Sequence, residues 1–247
     1  RKLASRRVFR REEGVFVGES PKLLEEALRW GGALETVVCV QGADLPELPQ
    51  GIRLVEVPVG LLGYIAGTES PQGLVFVCRG KELVLPERLT GQRYLVLDGL
   101  QDPGNVGTIW RTADAFGANG LILCNSCADP WNSKTVRATM GAVFRLPVYE
   151  STMEQAVERL KAAGLPMYAT ALQEDTKDVR TADLRRAAVV IGSEGHGVSQ
   201  QALRLCKGTL KIPMRVRCES LNAAVAASVV LWEMARKELE EGEIHRV

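Results

Sequence analysis

KIPMRVRCESLNAAVAASVVLWEMAR, residues 211–236, is the stretch whose reading decides the fold. It runs from a strand end through a tight polar turn into a long apolar helix. Pro213 cannot donate to a sheet ladder, so it closes the strand that Lys211 and Ile212 finish. Ser220 is the expected N-cap, with Glu219 and Asn222 placing polar groups at the helix mouth. Behind them Ala223, Ala224, Ala226, Ala227 and Ser228 are small enough to let other backbone approach closely. A core helix accounts for the apolar residues but not for Glu219-Ser220-Leu221-Asn222 at its start.

Working outward, the chain alternates strand and helix. Residues 14–79 read as a small α/β unit. Val15–Val17 is a strand, Ser20-Pro21 opens a helix, and strands follow at Thr36–Val40, Ile52–Val57 and Leu74–Cys78. RGKELVLPERLTGQR (79–93) is charged, lacks a period and carries Pro86 and Gly91, so it reads as a linker. The second unit places strands at Tyr94–Leu97, Gly120–Leu123, Pro147–Tyr149, Met167–Ala171, Ala187–Ile191 and Thr209–Ile212, with helices between. That order implies a mostly parallel sheet covered on both faces. The expected division is 1–79, a linker at 80–92, and 93–247.

Composition excludes several classes. Thirty-one Lys and Arg against 30 Asp and Glu leave a net charge of +1, so no global field points to nucleic acid. The basic charge is local instead: Arg1, Lys2, Arg6, Arg7, Arg10 and Arg11 crowd the start, either as a solvated terminus or as an arm for phosphates. Six scattered cysteines suggest no disulfide framework, and the lone Cys124-Asn-Ser-Cys127 has no second pair, so no metal is expected. No stretch approaches the ~20 apolar residues of a membrane span, and no signal pattern is present, which makes the cytoplasm the expected compartment.

Parallel sheets bind ligands at the carboxyl ends of their strands. Three ends here are unusual. One is Asp98 to Gly107, leading into a helix that carries Arg111; its glycines do not fit G-x-G-x-x-G, which argues against a nicotinamide enzyme. The second is Ile191-Gly-Ser-Glu-Gly-His-Gly197, a loop that can lie flat on a ligand with Glu194 at its centre. The third is Ile212 to Asn222.

Asp102-Pro103-Gly104-Asn105-Val106-Gly107 with Arg111, Ile191 to Gly197, and Ile212-Pro213-Met214 with Glu219-Ser220-Leu221-Asn222 resemble, in order, the three motifs of the SpoU (TrmH) family of RNA ribose 2′-O-methyltransferases, in the SPOUT superfamily. The first unit resembles that family's substrate-binding domain, a ribosomal-protein-like RNA-binding fold, through Thr68-Glu-Ser-Pro-Gln-Gly73. The resemblance implies an α/β fold whose C-terminal parallel sheet holds a deep trefoil knot, a homodimer, and S-adenosylmethionine as cofactor. It implies methyl transfer to a ribose 2′-hydroxyl of structured RNA, with large-subunit ribosomal RNA favoured. Transfer RNA, or a catalytically silent RNA-binding protein of the same fold, is the alternative. Carried over by position, Arg111, Asn105, Glu194, Ser220 and Asn222 are the catalytic set. The cofactor set is Thr170, Ala171, Leu172, Gly192, Glu194, Gly197, Ile212, Met214, Ser220, Leu221 and Asn222. Arg111 and the N-terminal basic residues would meet RNA. Gly18-Glu19 departs from the Glu-Gly common near the first helix.

Overall fold

A computed structural model describes residues 1–66, 72–215, 217 and 220–241, with the side chains of 237–241 outside that description. Glu219, Cys218, His245 and most of the 68–73 segment therefore lie outside the described residues. By contacts the chain forms two compact units, Arg1–Glu82 with Asp129–Arg145, and Leu83–Ala128 with Leu146–Val247.

In the first unit, β1 (Val15–Glu19), β2 (Leu34–Val40), β3 (Arg53–Val57) and β4 (Leu74–Arg79) make a sheet in the order β1-β4-β2-β3. β4 runs antiparallel to both neighbours, while β2 and β3 are parallel. The helix Pro21–Arg29 begins as expected, with the Ser20 side chain accepting from Leu23 N at 3.2 Å. The reading missed the helix Val59–Ala66, whose apolar run VGLLGYIA has no polar face to mark a period. Gly18 is explained by packing: a Cβ there would sit 2.2 Å from the Phe76 ring.

A contiguous division of the chain misses Asp129–Arg145, which lies between two strands of the second unit yet packs with the first. Its helix Ser133–Ala138 contacts β1, and Trp131 stacks on Phe16 with ring centroids 4.9 Å apart. Asp129 is the anchor. Arg10, expected among the phosphate-facing arginines, is instead 2% exposed and holds Asp129 Oδ2 through both Nε (3.0 Å) and Nη2 (2.6 Å). A buried guanidinium needs its partner, so Arg10 is structural and leaves the basic arm. Arg1, Lys2, Arg6, Arg7 and Arg11 remain exposed on or beside the two short helices Lys2–Ser5 and Arg7–Glu13.

The second unit is one parallel sheet of β5 (Arg93–Asp98), β6 (Gly120–Cys124), β7 (Val148–Glu150), β8 (Met167–Thr170), β9 (Lys177–Asp178), β10 (Ala187–Gly192) and β11 (Gly208–Lys211). Its order is β7-β6-β5-β10-β8-β11-β9. β5 is buried along its whole length and β10 up to its last residue, as strands covered on both faces must be. Leu85 and Leu89 of the expected linker pack on this core, and Val84 bridges to Glu150. The helix Ala223–Glu241 buries Ala223, Ala224, Ala227, Val230, Leu231, Met234 and Ala235, a stripe at helical spacing. Among the described residues no helix is long and apolar enough to cross a membrane.

Candidate functional site

The chain leaves β5 through Asp98 and Gly99 and enters the helix Pro103–Ala115 under a strong cap. Asp102 accepts from Asn105 N at 2.8 Å, and Pro103 occupies the first turn, where its missing N–H costs nothing. That cap sets the Asn105 side chain at the sheet's carboxyl edge. Its Nδ2 donates to Glu194 Oε1 in the loop after β10, and its Oδ1 accepts from Asn222 Nδ2 at 3.2 Å. Three residues from three strand ends thus form one hydrogen-bonded chain.

Asn222, rather than Ser220, caps the closing helix. Its Oδ1 accepts from Ala224 N (2.9 Å) and Val225 N (3.3 Å), because the helix begins at Ala223 and a cap must reach the second or third amide. Ser220 is left to line the pocket beside it.

That pocket, about 300 Å³, lies at the carboxyl ends of β8, β10 and β11, which are neighbours in the sheet. Thr170, Ala171, Leu172, Gly192, Glu194, Gly197, Ile212, Met214, Ser220 and Leu221 all line it. Asn222 does not; it stands behind Asn105. Gly192 is the residue the site cannot replace, since a Cβ there would fall 2.1 Å from Gly197 C and 2.2 Å from Val198 N. The walls are mostly backbone and apolar side chains, with Leu172 74% and Met214 39% exposed at the rim. Such a cleft suits a flat heterocycle between apolar walls with a polar end near Glu194. Those features fit S-adenosylmethionine.

Arg111 lies on the helix that carries Asn105, is exposed, and lines no part of the pocket. Among the described residues its side chain has no hydrogen-bond partner. Cys124 and Cys127 are buried thiols, pushed up to about 12 and about 11 by desolvation, and Cys127 Sγ donates to the Leu97 and Cys124 carbonyls. They are structural. Among the described residues no cluster of His, Cys, Asp and Glu could hold a metal.

Sequence reading named Asp98 only as the start of a strand end and gave it no role. Its carboxylate is 3% exposed and accepts from Asn125 Nδ2 (2.6 Å) and from Ser199 N (2.7 Å), tying β5 to the end of the glycine loop. The signal was present: a carboxylate ending the otherwise apolar run YLVL. Ile191, Ser193, Leu210, Lys211, Ala223 and Ala226 also line the pocket without having been singled out as ligand contacts.

Comparison with known proteins places this geometry. Residues 92–232 match the SpoU rRNA Methylase family and residues 1–75 the MRM3-like substrate binding domain. The chain is 33% identical over 226 residues to the 23S rRNA (guanosine(2553)-2′-O)-methyltransferase RlmP of Bacillus subtilis, covering 91% of this chain and 90% of that one. It superposes on an AdoMet-bound rRNA methyltransferase from Sinorhizobium meliloti with TM-score 0.83 at 32% identity, covering 96% of this chain and 93% of that one. The SpoU methyltransferase AviRb of Streptomyces viridochromogenes, in complex with AdoMet, gives 0.84 at 27% identity, with 96% of each chain covered. The family match spans more than half of the chain, and three motifs that stand far apart in sequence meet in one place. This protein belongs to the SpoU rRNA methylase family.

Proposed function

We propose that this chain transfers a methyl group from S-adenosylmethionine to a ribose 2′-hydroxyl of RNA, and that the RNA is large-subunit ribosomal RNA. One observation carries the reaction: Glu194, at the head of the hydrogen-bonded chain Glu194–Asn105–Asn222, lines a pocket together with all but one of the positions matched to the family's cofactor contacts. The likeness to a 23S rRNA enzyme along nine-tenths of both chains supports the substrate class.

When bound, S-adenosylmethionine supplies an electrophilic methyl group carried on a sulfonium. The protein's own task is to hold and polarise the ribose. Arg111 is assigned an electrostatic role rather than that of a general base, because a guanidinium is a planar, multi-donor cation suited to gripping phosphate. Its guanidinium grips an RNA phosphate and stabilises the charge that develops on the 2′-oxygen. The proton leaves to a phosphate oxygen or to water. Asn105, fixed by the Asp102 cap, keeps Glu194 and Asn222 in register, and Ser220 lines the same wall. Glu194, which lines the pocket, would help hold the methionine part of the cofactor. The exposed arginines and lysine of the N-terminal helices give the first unit a phosphate-binding face.

A deep knot and a homodimer in the cytoplasm complete the reading. The knot rests on membership of the family; in the sheet β10 lies between β5 and β8, and β11 between β8 and β9. Val225 and Trp232, both about half exposed on the outward face of the closing helix, favour a second copy covering them.

Mapping 2′-O-methyl sites in total RNA from a deletion strain tests the whole reading. Loss of one ribose methyl in the large-subunit RNA is expected. A mark lost from transfer RNA would replace the substrate but keep the reaction, and an unchanged map would sink both.

A further inference from the structure

The first unit holds a cavity that the reaction does not use. It is about 310 Å³ and is lined by Glu19, Lys22, Glu26, Gln72, Arg137 and Met140, among others. We propose that this cavity takes a guanine base turned out of the RNA, read through the Glu26 carboxylate; this rests on RNA being the substrate.

Three features point there. The first is charge. The two lining carboxylates are each met by a guanidinium, which suits a neutral heterocycle better than a metal ion. The carboxylates are also held in place: Arg145 Nη1 donates to Glu26 Oε2, and Arg137 Nη1 to Glu19 Oε2 at 3.4 Å. The second is strain. Ser20 and Met140, both lining the cavity, have φ of 99° and 48°, a conformation that otherwise occurs outside glycine only at Asn125 and Ser126 among the described residues. Non-glycine residues persist in such wells when the surroundings over-determine them, and they cluster at binding sites. Gly141 (φ 96°) sits against Glu26, where a Cβ would lie 2.6 Å from Oε2, so the strained turn and the carboxylate are fitted to each other.

The third feature is hydrogen-bond pattern. Guanine alone among the RNA bases presents two adjacent N–H donors, N1 and N2, beside an acceptor, O6. An ionised carboxylate offers two acceptor oxygens, and Lys22, Arg137 and Gln72 offer donors. Unpaired bases are read in this way, by their Watson–Crick edge in a pocket of the protein. Leu23 and Met140 supply apolar surface for the ring faces.

The test uses the full chain and RNA hairpins identical except for one unpaired loop nucleotide: guanosine, inosine, adenosine, uridine or cytidine. Inosine lacks only the N2 amino group. Guanosine should bind about tenfold or more tighter than inosine, as expected for one lost hydrogen bond to a charged group. Glu26→Gln should erase that preference while leaving S-adenosylmethionine affinity and the melting temperature near wild type. Equal affinities, no hairpin binding, or a preference that survives Glu26→Gln would overturn the inference. Methyl incorporation into ribosomal RNA by the wild-type protein is measured in parallel. If it proceeds while the hairpins are not discriminated, the pocket assignment alone fails; if no RNA is methylated, the functional reading fails with it.

Discussion

The two pockets are built from opposite materials. The one in the second unit is shaped mainly by backbone: Gly192 and Gly197 shape one loop, Ile212 and Met214 lie on another, and among the described residues Glu194 is the carboxylate at its polar end. The one in the first unit is shaped by side chains, with Glu19, Lys22 and Glu26 facing Arg137 from a segment more than a hundred residues away. A backbone-built site needs particular residues at fixed short spacings, because only glycine and proline allow those turns. A site built from side chains needs only the right groups to converge, and many spacings achieve that.

The comparison can be broken at several places, starting where the effect is greatest. Arg111→Lys should lower single-turnover methylation by roughly 10²–10³, as for loss of one organised donor set, while calorimetry finds unchanged S-adenosylmethionine affinity. Near-normal turnover would remove the bidentate role. Gly192→Ala should weaken cofactor binding by about 10–100-fold, since its Cβ would collide with backbone that cannot yield. Gly141→Ala meets the Glu26 side chain in the first unit, with Glu26 Cβ itself only 2.9 Å away, so rotation of that side chain alone does not clear it. Its cost should exceed the ~1–3 kcal/mol of a left-handed alanine, read by urea unfolding, with cofactor binding intact.

Smaller effects sharpen the same contrast. Asn105→Ala removes one link to Glu194 and one to Asn222, each worth about 1 kcal/mol, and should raise the KM for cofactor several-fold without unfolding the chain. Ser20→Gly relieves a strained serine and loses only a few tenths of a kcal/mol of capping. It should therefore stabilise the protein by about 1 kcal/mol, the mark of a residue kept for something other than stability. If the melting temperature falls instead, the strain does not exist.

One property should not distinguish the units. Burial pushes the thiols of Cys78 in the first and Cys124 and Cys206 in the second up to about 12, from 9.0. A raised folded pKa gives stability that is fully present below pH 9 and is lost as pH rises toward 12, when the unfolded chain ionises first. Unfolding measured between pH 8 and 11 should show that decline, and substituting Ala at these cysteines should flatten it.

Much of the fold could be read without coordinates. Strands at Leu74, Gly120, Ala187 and Thr209 fall within a residue of where the structure begins them, because uninterrupted apolar runs between glycine and proline turns leave little choice. The helix Val59–Ala66 escaped for the converse reason, having no polar face to give it a period. In the site, the positions matched to the cofactor line one pocket except Asn222, and the cap at Asn222 was assigned to Ser220. Either could have capped by chemistry, and only the point where the helix starts decides between them.

By itself, the sequence determined the parallel α/β plan, the glycine loops and the family, since these depend on local backbone freedom and short spacings. Only the tertiary structure decided that Arg10 is buried on Asp129, that Asp98 ties two strand ends, and that Asp129–Arg145 joins the first unit. Each of those is a pairing across some thirty to more than a hundred residues. Pairings at that range are set by which surfaces the packed chain brings together, and one sequence read along its length carries no measure of that distance.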